Sequence, residues 1–170
     1  MKSFFGRRNE FKQLLEFIQK KGSGLTFLRG RRRVGKSWLL KEFQTRNKRS
    51  CFYFSGVIDE TGQKILARFV KEWAAFTKDS TLSQYRVSSL TWHQVFEVVG
   101  QYAQKQKGPL VLMFDEIQWI AKKSTGLIGS IKEAWLDWEK TGRIKLILCG
   151  SSNQFFNQYT GGEEKILRGL

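Results

Sequence analysis

The chain has 170 residues, 41% hydrophobic and 14% aromatic, with 30 basic and 15 acidic residues and a formal net charge of +15. Length and composition suit one packed domain spanning 1–170 and exclude a disordered chain. No run of about 18 apolar residues is present and the opening MKSFFGRRNEF has no apolar signal segment, so a cytoplasmic protein with no membrane partner is expected.

Phe11, Leu14, Leu15 and Ile18 fall at i, i+3, i+4, i+7 and predict an amphipathic helix over 8–21, ended by KGSG. LTFLR (25–29) reads as a short buried strand that runs straight into a glycine loop, and KSWLLKEFQTR after the loop as a helix. CFYFSG (51–56) is the next strand. Ile65, Leu66, Phe69, Trp73 and Phe76 repeat at helical spacing over 61–76, and 78–90 is a polar connection. Thr91 caps a helix carrying Trp92, Val95, Phe96 and Val99, which Gly108 and Pro109 stop. LVLMFDE (110–116) is an apolar strand ending in two acids. Residues 127–140 form a helix with Leu127, Ile131, Trp135 and Trp138 on one side, and IKLILCGSS (144–152) is a fourth strand.

Strands alternate with helices and are continuously apolar, which predicts an α/β sandwich with a parallel sheet buried on both faces. Ligands of such sheets bind at the carboxyl ends of the strands. GRRRVGKS, DE and GSS all stand at such ends, and their shared position weighs more than any one of them.

Gly30 to Ser37 fits G-x-x-x-x-G-K-[ST], with a strand before it and a helix after it. Glycines let backbone N–H groups converge on a polyanion, and the following helix adds its positive end. Gly30, Arg31, Arg32, Arg33, Val34, Gly35, Lys36, Ser37 and Trp38 are therefore the expected nucleotide cradle. Within it the Lys36 ammonium reaches the β- and γ-phosphates and the Ser37 hydroxyl ligates Mg²⁺. The three arginines hold the variable positions, and solvation or an ion pair with a neighbouring element is expected of them rather than a nucleic-acid contact. The net charge favours polyanions in general but names no partner. Asp115, at a strand end opposite the loop, suits Mg²⁺; Glu116 suits a general base that polarises water toward the γ-phosphorus. This pair favours hydrolysis over transfer to a hydroxyl. The acidic strand is not expected to be the next strand in sequence after the loop strand. Ser151 and Ser152 end the fourth strand, where a turn signal and a contact to the γ-phosphate or attacking water are equal readings.

FFGRRNEFKQLLEF, FLRGRRRVGKSWLLKEF, LVLMFDEIQWI and LILCGSS together resemble the prokaryotic AAA-type ATPases of the archaeal ATPase family, P-loop NTPases with a catalytic Glu near the STAND group. The resemblance implies strand order 5-1-4-3-2, ATP and Mg²⁺ as ligands, Lys36 and Ser37 as nucleotide and metal contacts, Asp115 as metal acid and Glu116 as base. It raises Ser151 or Ser152 to a polar sensor and places Phe5, Gly6 and Arg7 near the adenine. It makes the arginines a family habit. The family continues with a fifth strand, an arginine-bearing segment, a helical lid and a winged-helix region. This chain ends where those would begin, with Arg168 the one candidate arginine near its end, so weak turnover is expected of it alone. The rival reading is a nucleotide-binding regulatory or nucleic-acid-associated module without turnover; a homo-oligomer or a partner protein is open to either reading.

Other residues carry less. Cys51 and Cys149, each in a strand-like run, read as buried free thiols; two cysteines and one histidine do not make a zinc site. His93 reads as a surface or half-buried helical residue. The six tryptophans read mostly as core, with Trp38 and Trp119 expected to pack helices.

Overall fold

A computed structural model describes residues 7–48 and 50–160. Four strands, β1 (Gly24–Arg29), β2 (Cys51–Ser55), β3 (Leu110–Asp115) and β4 (Ile144–Gly150), form one parallel sheet in the order β1-β4-β3-β2. The expected order is met in these four, with β4 between the loop strand and the acidic strand. No fifth strand lies among the described residues, and none of their helices is long and apolar enough to cross a membrane.

The two inner strands are buried throughout, and their side chains part to opposite faces with period two. Leu110, Leu112 and Phe114 of β3 join Leu146 and Leu148 of β4 on one face. That face is covered by α3 (Gly62–Thr77), α4 (Trp92–Gln104) and α6 (Leu127–Thr141), with Phe69, Trp73, Phe96 and Trp138 interleaved among the sheet's phenylalanines. Val111, Met113, Ile147 and Cys149 turn the other way, onto Phe11 and Leu14 of α1 (Arg8–Gln19) and Leu39, Leu40 and Phe43 of α2 (Lys36–Arg46). Each fully buried side chain of this size contributes roughly 1.5–3 kcal/mol of transfer free energy, so two apolar faces explain why continuous rather than alternating strands are needed.

The predicted helices and strands all appear, most within a residue or two of the expected ends; α4 stops at Gln104, short of Gly108, and β1, expected to be buried, buries only Leu25 because it lies at the edge of the sheet. Thr91 makes a full capping box: its hydroxyl accepts from the Gln94 amide, and the Gln94 side chain accepts from the Thr91 amide. The polar connection contains one 3₁₀ turn (Thr81–Gln84) whose Leu82 is fully buried and anchors the segment on the core. Two helices have no forerunner in the sequence reading. These are α5 (Ile117–Lys123) and α7 (Asn153–Thr160), of 7 and 8 residues, too short to show a helical period.

Trp73, Trp92, Trp135 and Trp138 are core, as expected, but Trp38 is 46% exposed. The buried stripe of α2 runs Lys36, Leu39, Leu40, Phe43, at i, i+3, i+4, i+7, and Trp38 lies off it. His93 stands on the surface, its Nδ1 3.1 Å from Glu133 across the α4–α6 groove and its Nε2 3.4 Å from Glu97.

Both cysteines are buried and unbridged. Burial pushes the Cys51 thiol up to about 12. Cys149 is raised further by burial, with the charge and hydrogen bonding of Asp115 adding to it. Both thiols are expected to stay protonated and unreactive toward an aromatic disulfide reagent at about pH 8, and to react fully only once denatured. Stoichiometric labelling of the native chain would contradict this burial.

Candidate functional site

The parallel register sets the strand ends level: Arg29 pairs with Gly150, Phe114 with Leu148, and Ser55 with Asp115. One rim therefore carries the glycine loop after β1, Ser151 after β4, Glu116 after β3 and Gly56 after β2. The Gly56 amide, donating to the Asp115 carbonyl at 2.8 Å, continues the ladder one step past the strand.

The loop turns through Arg32 and Arg33 and enters α2 at Gly35, whose φ is 84°. This is left-handed backbone that glycine adopts without a Cβ clash. No side chain caps α2, so its first-turn N–H groups face the loop. Lys36 is 5% exposed, its ammonium drawn under the loop, where it donates to the carbonyls of Gly30 (2.7 Å) and Arg31 (2.9 Å). Ser37 follows in the first turn, half-buried. Arg7 donates to the Val34 carbonyl and pairs with Glu10 at 3.3 Å, which ties the start of α1 to the loop. The structure thus brings Arg7 to the glycine loop; Phe5, Gly6 and Arg168 lie outside the described residues.

Asp115 is 1% exposed and doubly held. Its Oδ2 accepts from the Tyr53 hydroxyl at 2.7 Å and its Oδ1 from the Glu116 amide at 2.9 Å. Burial first, and then the Asp115 carboxylate, raise the Tyr53 phenol above its usual range, so Tyr53 is a donor at any ordinary pH. Behind them Cys149 feels Asp115, Lys36 and Glu116 at once: the two acids raise its thiol and the lysine opposes them. The loop lysine and both acids are therefore within electrostatic reach of one buried strand position.

Glu116 adopts φ 48° and ψ 44°. For a residue with a Cβ this left-handed conformation costs roughly 1–3 kcal/mol. Glu116 makes the abrupt turn from β3 into α5. Its Oε2 accepts from Gln118 Nε2 and, at 3.4 Å, from Ser151 Oγ. The two serines, equal in the sequence, have different surroundings. Ser151 faces Glu116. The Ser152 hydroxyl instead accepts from the Phe155 amide at 3.2 Å, as a helix cap does for α7.

Arg31, Arg32 and Arg33 are exposed. The Arg32 guanidinium lies 5.4 Å from the centre of the Trp119 ring. The neighbouring-element partner expected of the arginines is thus, for Arg32, an aromatic face and not an acid. Arg32, Arg33, Gly56, Val57, Ile58, Glu116 and Trp119 line an open cleft of about 550 Å³. Its far wall is steadied by Arg68, which donates to the Ser55 carbonyl (2.8 Å) and pairs with Glu60 (2.8 Å) and Glu72 (3.2 Å). Sequence reasoning missed Tyr53, Gln118 and Arg68. The first two had a usable signal, a polar residue on, or within three residues of, an apolar strand that ends at the site.

No group of three or more His, Cys, Asp or Glu among the described residues could cage a metal. What is present, one hydroxyl at a helix start and one buried carboxylate, fits Mg²⁺, which keeps most of its waters and takes its other oxygens from phosphates.

A family described as an ATPase domain predominantly from Archaea matches residues 4–168 of the chain. The chain belongs to this ATPase family. The ATPase domain is similar in fold to the Walker-type ATPase Paby2304 of Pyrococcus abyssi, with TM-score 0.65 and 23% identity over 87% of this chain and 45% of that one. Cdc6p of Pyrobaculum aerophilum is similar at TM-score 0.62 and 15% identity, over 92% and 42% of the two chains. The ORC2 protein of Aeropyrum pernix, in ADPNP–ADP complexes, follows at TM-score 0.54 and 14% identity, over 90% and 43%. The ATPase domain thus spans less than half the length of each of these relatives, and at such identities the likeness speaks for the fold alone. No curated protein sequence matches it significantly.

Proposed function

We propose that this ATPase domain binds ATP with Mg²⁺ through Gly30–Ser37 and hydrolyses it with Glu116 as general base, the cycle driving a conformational switch. The observation that carries the reading is the rim itself. A glycine loop with an uncapped helix start and two carboxylates, one of them buried, stand at the carboxyl ends of β1 and β3, on either side of β4 in one parallel sheet. Bound Mg²⁺ would neutralise charge on the β- and γ-phosphates. Around it Ser37 and Asp115 would hold the metal and its waters, and Lys36 would hold phosphate oxygens. Glu116 Oε1, which accepts no hydrogen bond among the described residues, would take the proton of the attacking water. Ser151 is the polar sensor in this reading, and Arg7 supports the loop from its outer side.

Asp115→Asn keeps the shape and one of the two acceptor oxygens but removes the charge. It is expected to raise the Mg²⁺ concentration needed for half-maximal turnover by about tenfold or more, measured as ATP hydrolysis against titrated Mg²⁺. An unchanged Mg²⁺ requirement would remove Asp115 from the metal site. Binding of ATP without any turnover would favour the regulatory-module reading instead. A polyanionic partner such as nucleic acid fits the charge of +15.

A further inference from the structure

Gln118 touches the site and has no role in the reaction as described so far. It is the second residue of α5, and the left-handed turn at Glu116 swings it back against both the Glu116 carboxylate and the end of β4. Its Nε2 donates to Glu116 Oε2 and lies 3.4 Å from Ser151 Oγ, which itself reaches Glu116 Oε2 at 3.4 Å. The three side chains close a triangle in which both donors act on one carboxylate oxygen and leave the other open.

The amide orientation follows from the partners: turned over, it would set Oε1 against a carboxylate oxygen. As it stands, Oε1 is buried with no hydrogen-bond partner among the described residues. An orphaned buried acceptor costs on the order of 1–3 kcal/mol, about as much as a made hydrogen bond returns. A side chain kept for stability alone would satisfy both ends of the amide. Gln118 satisfies only the end that faces Glu116. Room for it comes from Gly150: a Cβ there would collide with Gln118 Oε1 and lie 3.2 Å from the Phe156 ring.

We propose that Gln118 is a positioning residue for ATP hydrolysis, which together with Ser151 fixes the rotamer of Glu116 so that Oε1 is the oxygen offered to water. This deepens the hydrolytic reading above and rests on it. General-base catalysis needs the acceptor within hydrogen-bond reach of the proton it removes, and a glutamate with three free torsions seldom holds that geometry unaided. Gln118 binds no phosphate in this role, so its effect falls on the chemical step and not on nucleotide affinity.

The test compares Gln118→Met, of similar length and without the donor, with Ser151→Ala, the double variant, Gly150→Ala and Glu116→Gln, in the 170-residue chain. Single-turnover hydrolysis, ATP Kd and Tm are measured for each. Gln118→Met is expected to slow hydrolysis about tenfold to a hundredfold with Kd within about twofold of the parent. Gly150→Ala, which leaves every polar group of the triangle in the chain but displaces the amide, is expected to slow it similarly. The double variant is expected to lose less than the product of the single losses, because both donors act through one carboxylate. Hydrolysis within about twofold of the parent in Gln118→Met would overturn the proposal, as would a Kd that weakens in step with the rate. A parent chain whose turnover is absent, or unaffected by Glu116→Gln, would overturn the hydrolytic reading and this one with it. A failure confined to Gln118 leaves the base assignment standing.

Discussion

Glu116→Gln is expected to slow ATP hydrolysis by about a hundredfold to ten-thousandfold, the usual contribution of a general base, while ATP still binds with near-parental affinity. The amide is close to the carboxylate in shape, so the turn into α5 and the contact with Ser151 can persist. It cannot accept a proton from water at neutral pH. Lys36, the loop and Asp115 are untouched, and these are the groups assigned to nucleotide and metal. The variant should therefore accumulate bound ATP. Rapid quench of a single turnover, with the nucleotide recovered from the complex, separates the two effects. Turnover at the parental rate would show that water is activated elsewhere, and affinity lost along with rate would place Glu116 in binding and not in chemistry.

Lys36→Ala is expected to weaken ATP binding by about tenfold to a hundredfold, and turnover at limiting ATP at least as much. A charge-assisted hydrogen bond contributes roughly 1.5–3 kcal/mol. The geometry adds a second cost. The ammonium already spans the Gly30 and Arg31 carbonyls, so it holds the loop's shape as well as its charge. Alanine also removes a side chain that is 5% exposed and begins the buried stripe of α2. Titration calorimetry with ATP and Mg²⁺ reads the affinity directly, and a melting curve of the same sample shows whether the fold has been retained. A folded variant that binds ATP as tightly as the parent would take the phosphate site away from this loop. The two variants differ in kind: one should bind and not turn over, and the other should fail to bind.

The strands, the main helices and the positions of the three rim motifs were legible in the sequence, and for local reasons. Helical and strand periods are set by neighbours a few residues apart, and unbroken apolar strands such as β3 and β4 can be buried only in a sheet covered on both faces. The strand–loop–helix at Gly30–Ser37 is contiguous, so its chemistry was legible with its context. The strand order and the neighbours of the site residues were less so. Order 1-4-3-2 came from family resemblance, since nothing within a strand tells which other strand lies beside it.

What joins the motifs to one another is spread along the chain: Tyr53 meets Asp115 across 62 positions, Ser151 meets Glu116 across 35, and Arg7 meets Val34 across 27. No spacing rule covers such pairs, because they depend on which strands pair and in what register. The same holds for the parting of Ser151 from Ser152, adjacent serines with one pattern in the sequence. The first step past β4 points to Glu116, and the second caps the start of a helix that is too short to announce itself. Composition and local pattern thus determined the layers and named the candidate site residues. Tertiary pairing decided which oxygen of Glu116 is held, which is free, and what holds it, because a hydrogen bond a few ångströms long depends on where whole strands come to rest.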